Sequence, residues 1–514
     1  MSGTPGMMHR WGARAVSWRG AWQGDTAAAV CGALLVLAFA PFRIYPLAIL
    51  AVLALLWLIA DADWRRAARR GFLFGMAEFL AGVSWIYISL HDMGGVNPIA
   101  AVLMLLVLVA IMALYSAAAC AIAAAWAPSA WKRGLLLFPA AWTFFEWLRG
   151  WLLTGFPWLS LGYSQVDSAL KGYAPYISGF GVSLCVVLSA GLLLTTLQSR
   201  AWQGRLLSLV ALLALWGAGW ELGTVRWTHP AGAPLSVTLI QGDIPQDQKW
   251  EPSAFEPTLK LYRRLTDAHW ASKLVVWPEA AVPAYQDEVQ IDYLDPLEAD
   301  ARTHGTDILL GVPTYDPLQD AYYNSVISLG ASDGTYNKRH LVPFGENFEF
   351  LPQWVKSLLR DMDLPYSSFS AGARDQRLLK AAGYAVGTSI CYEDAYGSEI
   401  MRDLPEAAFL VNVSNDGWFG DSIALPQHLE IARMRALETG RWLLRTTNTG
   451  VTAIVDDGGR VRAQAPTGQV YVLDGEIQPL AGATPVTRWG DVPVVLLSSL
   501  VLLVFGLANR RIVA

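Results

Sequence analysis

The sequence predicts a polytopic α-helical membrane region of about eight crossing helices, joined to an α/β domain of layered or α-β-β-α sandwich type. Three observations carry this expectation. Of 514 residues, 54% are hydrophobic and only 16% charged, against about 25% charged in ordinary soluble chains, and mean hydropathy is +0.33. Long apolar segments crowd the chain up to Trp220 and return once near the end. Between them, Glu221 to Asp491 is polar and alternates short β-rich runs with helical ones. The net charge of -5 gives no support for nucleic-acid binding.

A spanning helix needs about 20 mostly apolar residues. The candidates are Ala27–Ala40, Pro46–Ala60, Phe72–Leu90, Ile99–Trp126, Leu135–Trp147, Ile177–Leu197 and Leu206–Trp220, with Val492–Leu507 as the eighth. Alternate loops are basic: Arg10, Arg14 and Arg19; Arg65, Arg66, Arg69 and Arg70; Lys132 and Arg133; Arg200 and Arg205; Arg510 and Arg511. Cytoplasmic loops collect such residues, so both termini are expected inside and the polar region outside, in the periplasm of a bacterial envelope. The domains expected are a membrane domain over 1–220, a periplasmic domain over 221–490 and a final helix over 491–514. Ala38-Phe39-Ala40 resembles a signal-cleavage site, but Pro41 follows it directly, so an uncleaved first helix is expected. Glu78, Glu146 and Arg149 are ionisable groups in or beside apolar segments. Such groups usually face a bundle interior or a wet cavity; pairing between helices and a role in lipid access are both open for them.

In the polar region, strands are expected at Leu235–Ile240, Leu274–Trp277, Ile308–Val312, Ser325–Gly330, Tyr384–Ile390, Ala408–Asn412, Trp442–Thr446 and Val451–Val455. Helices are expected at Phe255–Ala271 and Gln427–Thr439. Ala331-Ser332-Asp333-Gly334 and Asp456-Asp457-Gly458-Gly459 carry hairpin-turn composition. Three strand ends each deliver a reactive group: Glu279 after Val275-Val276-Trp277-Pro278, Lys338 after Gly334-Thr335-Tyr336-Asn337, and Cys391 after Thr388-Ser389-Ile390. Cys391 is the one cysteine of this region, so it has no disulfide partner there; a free cysteine is either a small buried hydrophobe or a nucleophile. Taken singly, each of the three residues is weak evidence of chemistry.

Their order and context are specific. Trp277-Pro278-Glu279, then Asn337 to Glu346 (Asn-Lys-Arg-His-Leu-Val-Pro-Phe-Gly-Glu), then Cys391-Tyr392-Glu393 resembles the nitrilase superfamily with its Glu-Lys-Cys triad. With the helices added, nearly the whole chain resembles the bacterial apolipoprotein N-acyltransferase family. The resemblance extends to Gln241-Gly242-Asp243-Ile244-Pro245 with Lys249-Trp250, to Ser414-Asn415-Asp416-Gly417-Trp418-Phe419, to Arg433–Glu438 and to Arg445–Gly450. It implies a nitrilase-like sandwich in which an acyl chain passes from the sn-1 position of a phospholipid, usually phosphatidylethanolamine, to the thiol. From there it passes to the α-amino group of the N-terminal diacylglyceryl cysteine of an apolipoprotein. Glu279 is then the general base, Cys391 the nucleophile and Lys338 the oxyanion partner, with the Tyr392 N–H as a second donor. Glu346 supports Lys338, Trp250 contacts substrate, and Asn415 lies in a shared motif; Glu393 is either supporting or structural. No cofactor or metal is implied, and a monomer in the inner membrane is expected.

Phe344, Phe348, Phe350, Leu351, Trp354, Leu358, Leu359 and Tyr366 suit an apolar lid, and Trp418 and Phe419 a second arm; core packing is the alternative for both. Three other readings stay open on sequence: a membrane-tethered amidase giving the acyl group to water, a papain-like pair using His340 or His428, and a non-enzymatic transporter or receptor.

Overall fold

The structure, a computed structural model, describes residues 22–127, 129–342, 345–346 and 369–513. Two compact units emerge: one of residues 1–84, 102–224 and 491–514, the other of 85–101 and 225–490.

The first unit is helical: α1 (Trp22–Leu35), α2 (Pro46–Ile59), α3 (Trp64–Gly82), α4 (Pro98–Trp126, whose first turn clusters with the other unit), α5 (Phe138–Arg149), α6 (Ala174–Gln198), α7 (Trp202–Leu222) and α11 (Val492–Val513). Among the described residues, four helices are long and apolar enough to cross a membrane: Pro98–Trp126, Ala169–Gln198, Trp202–Leu222 and Val492–Asn509. The count of eight is not reached on these criteria, because α1 and α2 have 14 residues each and α5 has 12. The expected Phe72–Leu90 segment also differs. Asp63 caps α3 by accepting from the N–H groups of Arg65 and Arg66 at 2.9 and 3.0 Å, so the helix starts earlier and takes in four arginines. It stops at Gly82, and Trp85–Ala101 belongs to the other unit.

Inside the helical unit, Glu146 and Arg149 are bonded locally, whereas Glu78 Oε2 has no partner among the described residues. Glu146 accepts from Trp142 Nε1 at 2.9 Å and from the Ser183 hydroxyl. Arg149 donates to the carbonyls of Trp158 (2.5 Å) and Phe156 (3.2 Å), pinning the loop that carries Gly155-Phe156-Pro157-Trp158. These bonds favour a structural role over lipid access for both residues.

The second unit holds two six-stranded sheets. One has the order β13 (Tyr471–Ile477), β2 (Leu235–Gln241), β3 (Leu274–Val276), β4 (Asp307–Asp316), β5 (Ala321–Leu329), β6 (Gly334–Asn337). The other runs β12 (Val461–Gln464), β11 (Ala453–Val455), β10 (Leu443–Thr447), β9 (Phe409–Ser414), β8 (Tyr384–Ile390), β7 (Leu379–Ala381). A small pair joins β1 (Thr228–Pro230) to β14 (Leu480–Gly482). Each large sheet has a parallel triplet at its centre, β2-β3-β4 and β8-β9-β10. These triplets are largely buried and mostly apolar, with Asn412 and Arg445 among the polar exceptions, as suits parallel strands covered on both faces.

Helices α8 (Pro252–Asp267) and α9 (Asp295–His304) cover the first sheet, with Leu259, Tyr262, Leu297 and Ala301 packed on Ile240, Val275, Ile308 and Leu310. Helix α10 (Ala424–Thr439) covers the second, with Leu429, Ala432 and Ala436 packed on Leu410, Leu443 and Ala453. The sheets face one another through β4 and β5 against β7 and through β2 against β10. The result is the α-β-β-α sandwich.

Candidate active site

Open α/β sheets gather ligands at the carboxyl ends of their parallel strands. Glu279 follows β3, Cys391 follows β8, Asn415 follows β9 and Asn448 follows β10. All four side chains therefore leave the same ends of the two triplets.

Glu279 is fixed from behind. Trp277, fully buried, donates Nε1–H to Thr266 Oγ1 at 3.0 Å and stacks on Tyr262 with ring centroids 5.0 Å apart. Gly311 on β4 allows the segment to lie close: a Cβ there would meet Pro278 O at 2.4 Å and Glu279 Cα at 2.7 Å. The Glu279 carboxylate accepts from Asn324 Nδ2 (2.7 Å) and Lys338 Nζ (3.4 Å) on Oε1, and from the Asn415 N–H (2.9 Å) on Oε2.

Lys338 is 1% exposed. Its N–H donates to Asn324 O at 2.8 Å, which continues the β6 pairing past the strand end. Its ammonium bridges Glu279 and Glu346, reaching Glu346 Oε1 at 2.9 Å. Glu346 is held in turn by Asn324 Nδ2 (3.2 Å) and the Val342 N–H (2.8 Å). Burial works against the Lys338 charge, but Glu346, Glu279 and Cys391 outweigh it and hold the ammonium well above the ordinary lysine range.

Cys391 sits at the turn from β8 into a short helical segment, with φ of +53°. A left-handed conformation at a residue with a Cβ is strained and persists only where its surroundings over-determine it. Burial, then the Glu279 carboxylate, pushes the thiol up; Lys338 pulls it the other way without prevailing. The thiol is therefore neutral at rest, and the nucleophilic thiolate has to be made by an adjacent base.

Glu393 is spent on main chain and one phenol. Oε1 accepts from the N–H groups of Arg339 (2.5 Å) and His340 (3.0 Å), and Oε2 from the Ile390 N–H (2.7 Å) and the Tyr336 hydroxyl (3.0 Å). It thus ties the residues that follow Lys338 to the residue that precedes Cys391. Burial pushes it up to about 7 against those donors and Lys338. The Tyr392 hydroxyl accepts from that of Tyr396 at 2.6 Å. Asn415 contributes its N–H to Glu279 and its side chain to Gln246 Oε1 at 2.6 Å.

Trp250 and Trp418 are 53% and 41% exposed. Phe419 packs instead on Trp85 with centroids 4.7 Å apart, and Ser89 Oγ donates to Trp418 O at 2.7 Å. The arm is thereby joined to the Trp85–Ala101 segment. Phe344 and the aromatic loop from Phe348 to Tyr366 lie outside the described residues. His340 stacks on Tyr396 at 3.7 Å and bonds Glu399. Both nitrogens of His428 face carboxylates, Asp394 and Asp416, at 3.0 Å. Neither imidazole is presented to Cys391 as a papain-like base would be.

Two residues escaped the sequence reading. Asn324 bridges Glu279 and Glu346, and Lys249, 3% exposed, donates Nζ–H to Glu279 O at 2.9 Å. Burial lowers Lys249 to about 8. The available signals were an amide inside a buried strand and a lysine within a shared motif; a buried polar group needs a partner, and here the partners are the Glu279 and Glu346 carboxylates for Asn324 and the Glu279 main-chain carbonyl for Lys249.

Comparison with known proteins places these units. Residues 31–192 match the family model described as apolipoprotein N-acyltransferase N-terminal domain, and residues 236–485 match carbon-nitrogen hydrolase. The chain is 47% identical to the apolipoprotein N-acyltransferase of Methylococcus capsulatus, over 90% of this chain and 92% of that one. It is 43% identical to that of Nitrosomonas europaea, over 94% and 97%, and 39% identical to that of Coxiella burnetii, over 91% and 96%.

Proposed function

We propose that this chain, which belongs to the apolipoprotein N-acyltransferase family, moves a fatty acyl group from the sn-1 position of a phospholipid to the α-amino group of the N-terminal diacylglyceryl cysteine of an apolipoprotein. One observation carries the chemistry: a buried ammonium, Lys338, is held between Glu279 and Glu346 beside a buried neutral thiol.

Glu279 takes the proton from the Cys391 thiol as the sulfur attacks the ester carbonyl carbon. The carbonyl oxygen gains negative charge, which Lys338 stabilises; a preorganised donor of this kind contributes about 3–4 kcal/mol. Collapse breaks the bond to the glycerol oxygen, which leaves as lysophospholipid with the proton returned from Glu279. The acyl group is now a thioester. The amine of the acceptor attacks it, Glu279 removes an amine proton, and collapse to the amide breaks the carbon–sulfur bond and releases the Cys391 sulfur, which takes that proton from Glu279. The thioester divides the reaction in two, so kinetics are ping-pong and one pocket serves donor and acceptor in turn. Phosphatidylethanolamine is the expected donor.

The names and N-terminal domain of the relatives favour this reading over hydrolysis to water and over transport. In topology, residues 1–220 and 491–514 lie in the inner membrane, 221–490 faces the periplasm, both termini are cytoplasmic, and the enzyme acts as a monomer. Alkaline phosphatase inserted at Ser332 is then active and a fusion after Ala514 inactive.

The deciding assay incubates the purified protein with phosphatidylethanolamine and a synthetic diacylated lipopeptide. A lipopeptide heavier by one acyl chain, on its amine, is the expected product. Free fatty acid with unmodified lipopeptide would assign the amidase reading instead, and no acyl release at all would remove both.

A further inference from the structure

Behind the thiol lies a second buried charge cluster that the mechanism above does not use. Asp394, Asp416, His428 and Arg445 are each 0% exposed. Arg445 donates through Nη1 to Asp394 Oδ2 (3.0 Å) and through Nη2 to Asp416 Oδ2 (2.9 Å). His428 lies between the same two carboxylates. Burial and Arg445 disfavour its positive charge, but the two carboxylates outweigh them and push it up to about 9. Arg445 Nη2 also comes within 2.8 Å of His428 Nδ1, a contact that is a hydrogen bond only for an unprotonated Nδ1. With a carboxylate facing each ring nitrogen, the doubly protonated ring is favoured, and the cluster has two positive and two negative groups.

The cluster reaches the nucleophile by a direct route. Ser389, Asn412 and Arg445 stand in register across the parallel strands β8, β9 and β10. Arg445 Nη1 donates to Asn412 Oδ1 at 2.7 Å, and Asn412 Nδ2 donates to Ser389 Oγ (3.0 Å) and to the main-chain carbonyl of Cys391 (3.0 Å). Arginine has donors only. Its guanidinium therefore forces Oδ1 of Asn412 toward itself and the NH2 toward Cys391. A second route runs from Asp416, which accepts from Ser414 Oγ at 2.7 Å, while the Ser414 hydroxyl also contacts the Cys391 thiol.

We propose that Asn412, oriented by Arg445, is a positioning residue for the nucleophile: its amide clamps the Cys391 carbonyl and so holds the left-handed turn that aims the thiol at Glu279. The strained φ of +53° supplies the need for a clamp, and the three-strand register supplies its rigidity. The inference rests on Cys391 being the nucleophile, as in the proposed function, but not on which acyl acceptor follows.

Removing Arg445 would leave two buried carboxylates short of a partner and threatens the fold, so the test is made at Asn412. In the isosteric variant N412D the oxygen facing Arg445 remains, while the donor facing the Cys391 carbonyl is replaced by an acceptor. Three quantities are measured on the full-length protein in detergent: melting temperature, alkylation rate of Cys391 by iodoacetamide, and steady-state acyl transfer. The expected result is a lowered melting temperature, because the added carboxylate leaves the cluster with one negative charge too many, and, at a temperature where the variant is still folded, alkylation and kcat both lowered at least tenfold with KM for phospholipid unchanged. An N412S variant, which restores a hydroxyl donor, recovers part of the alkylation rate. If N412D alkylates and turns over like the parent, or if the loss follows only a fall in melting temperature and N412S recovers nothing, the clamp is refuted. Alkylation needs no lipid. A parent protein whose Cys391 alkylates in an Asn412-dependent way, yet transfers no acyl group, would uphold the clamp while overturning the proposed function.

Discussion

The catalytic unit buries two groups of charge, and they are built to opposite ends. Around Arg445, every charged group faces opposite charge and two cations meet two carboxylates, with Arg445 Nε alone of the cluster lacking a partner among the described residues. Around Lys338, two carboxylates share one ammonium and one amide, and among the described residues Asn324 Oδ1 finds no partner while Lys249 Nζ bonds a main-chain carbonyl. A buried cluster whose charges balance rigidifies its surroundings. The difference separates scaffold from reagent: a cation beside a neutral thiol is what a developing oxyanion and a moving proton require.

Substitution can break that contrast. The largest effect is expected at Glu279. Glu279→Gln keeps the shape but removes the base and turns one of the two accepting oxygens into a donor, and acyl-enzyme formation falls by roughly 10²–10⁴, read by single-turnover mass spectrometry; an unchanged rate would end the distinction. Lys338→Met removes the oxyanion partner, and kcat for acyl transfer falls by about 10²–10³.

The other cluster answers in stability. Asp416→Asn breaks the balance behind the turn and costs about 3–5 kcal/mol, seen as a lower denaturation midpoint; a loss of activity at unchanged stability would make that cluster a reagent too. Its pH response has a defined sign. His428 is held up to about 9 when folded against an ordinary 6.5, so the folded state keeps a proton that the unfolded chain gives up. Its stabilisation is complete below about 6.5 and is lost as pH rises through about 9. Melting temperature should therefore fall over this range, and His428→Gln should flatten the fall. The smallest effect belongs to the exposed aromatics. Trp418→Ala is expected to raise KM for phospholipid a few-fold, on the order of 1 kcal/mol of apolar contact, with kcat retained.

The same contrast explains what could be read from sequence. Glu279, Lys338 and Cys391 each end a β run, so periodicity placed them at strand termini before any contact was known. The central strands were legible for the same reason: β2, β8 and β9 are mostly apolar runs, and β10 opens on Leu443 and Leu444. Strands β7, β12, β13 and β14 were not, because edge strands such as Val461–Gln464 and Tyr471–Ile477 are short, half exposed and mixed in composition. The charge cluster was illegible on other grounds. Asp394, Asp416, His428 and Arg445 come from four separate segments, and only the pairing of β8, β9 and β10 brings them together. Helix α3 misled because its start is set by the Asp63 cap and not by apolarity.

The most direct test of the account is the mass of the intact protein after incubation with phosphatidylethanolamine alone, with the modified residue located by digestion. The account predicts a single fatty-acyl adduct on Cys391, labile to hydroxylamine as a thioester is, absent from Glu279→Gln on the same time scale, and discharged by a diacylated lipopeptide. An adduct on any other residue, or acyl transfer that proceeds at full rate in Cys391→Ala, would contradict it.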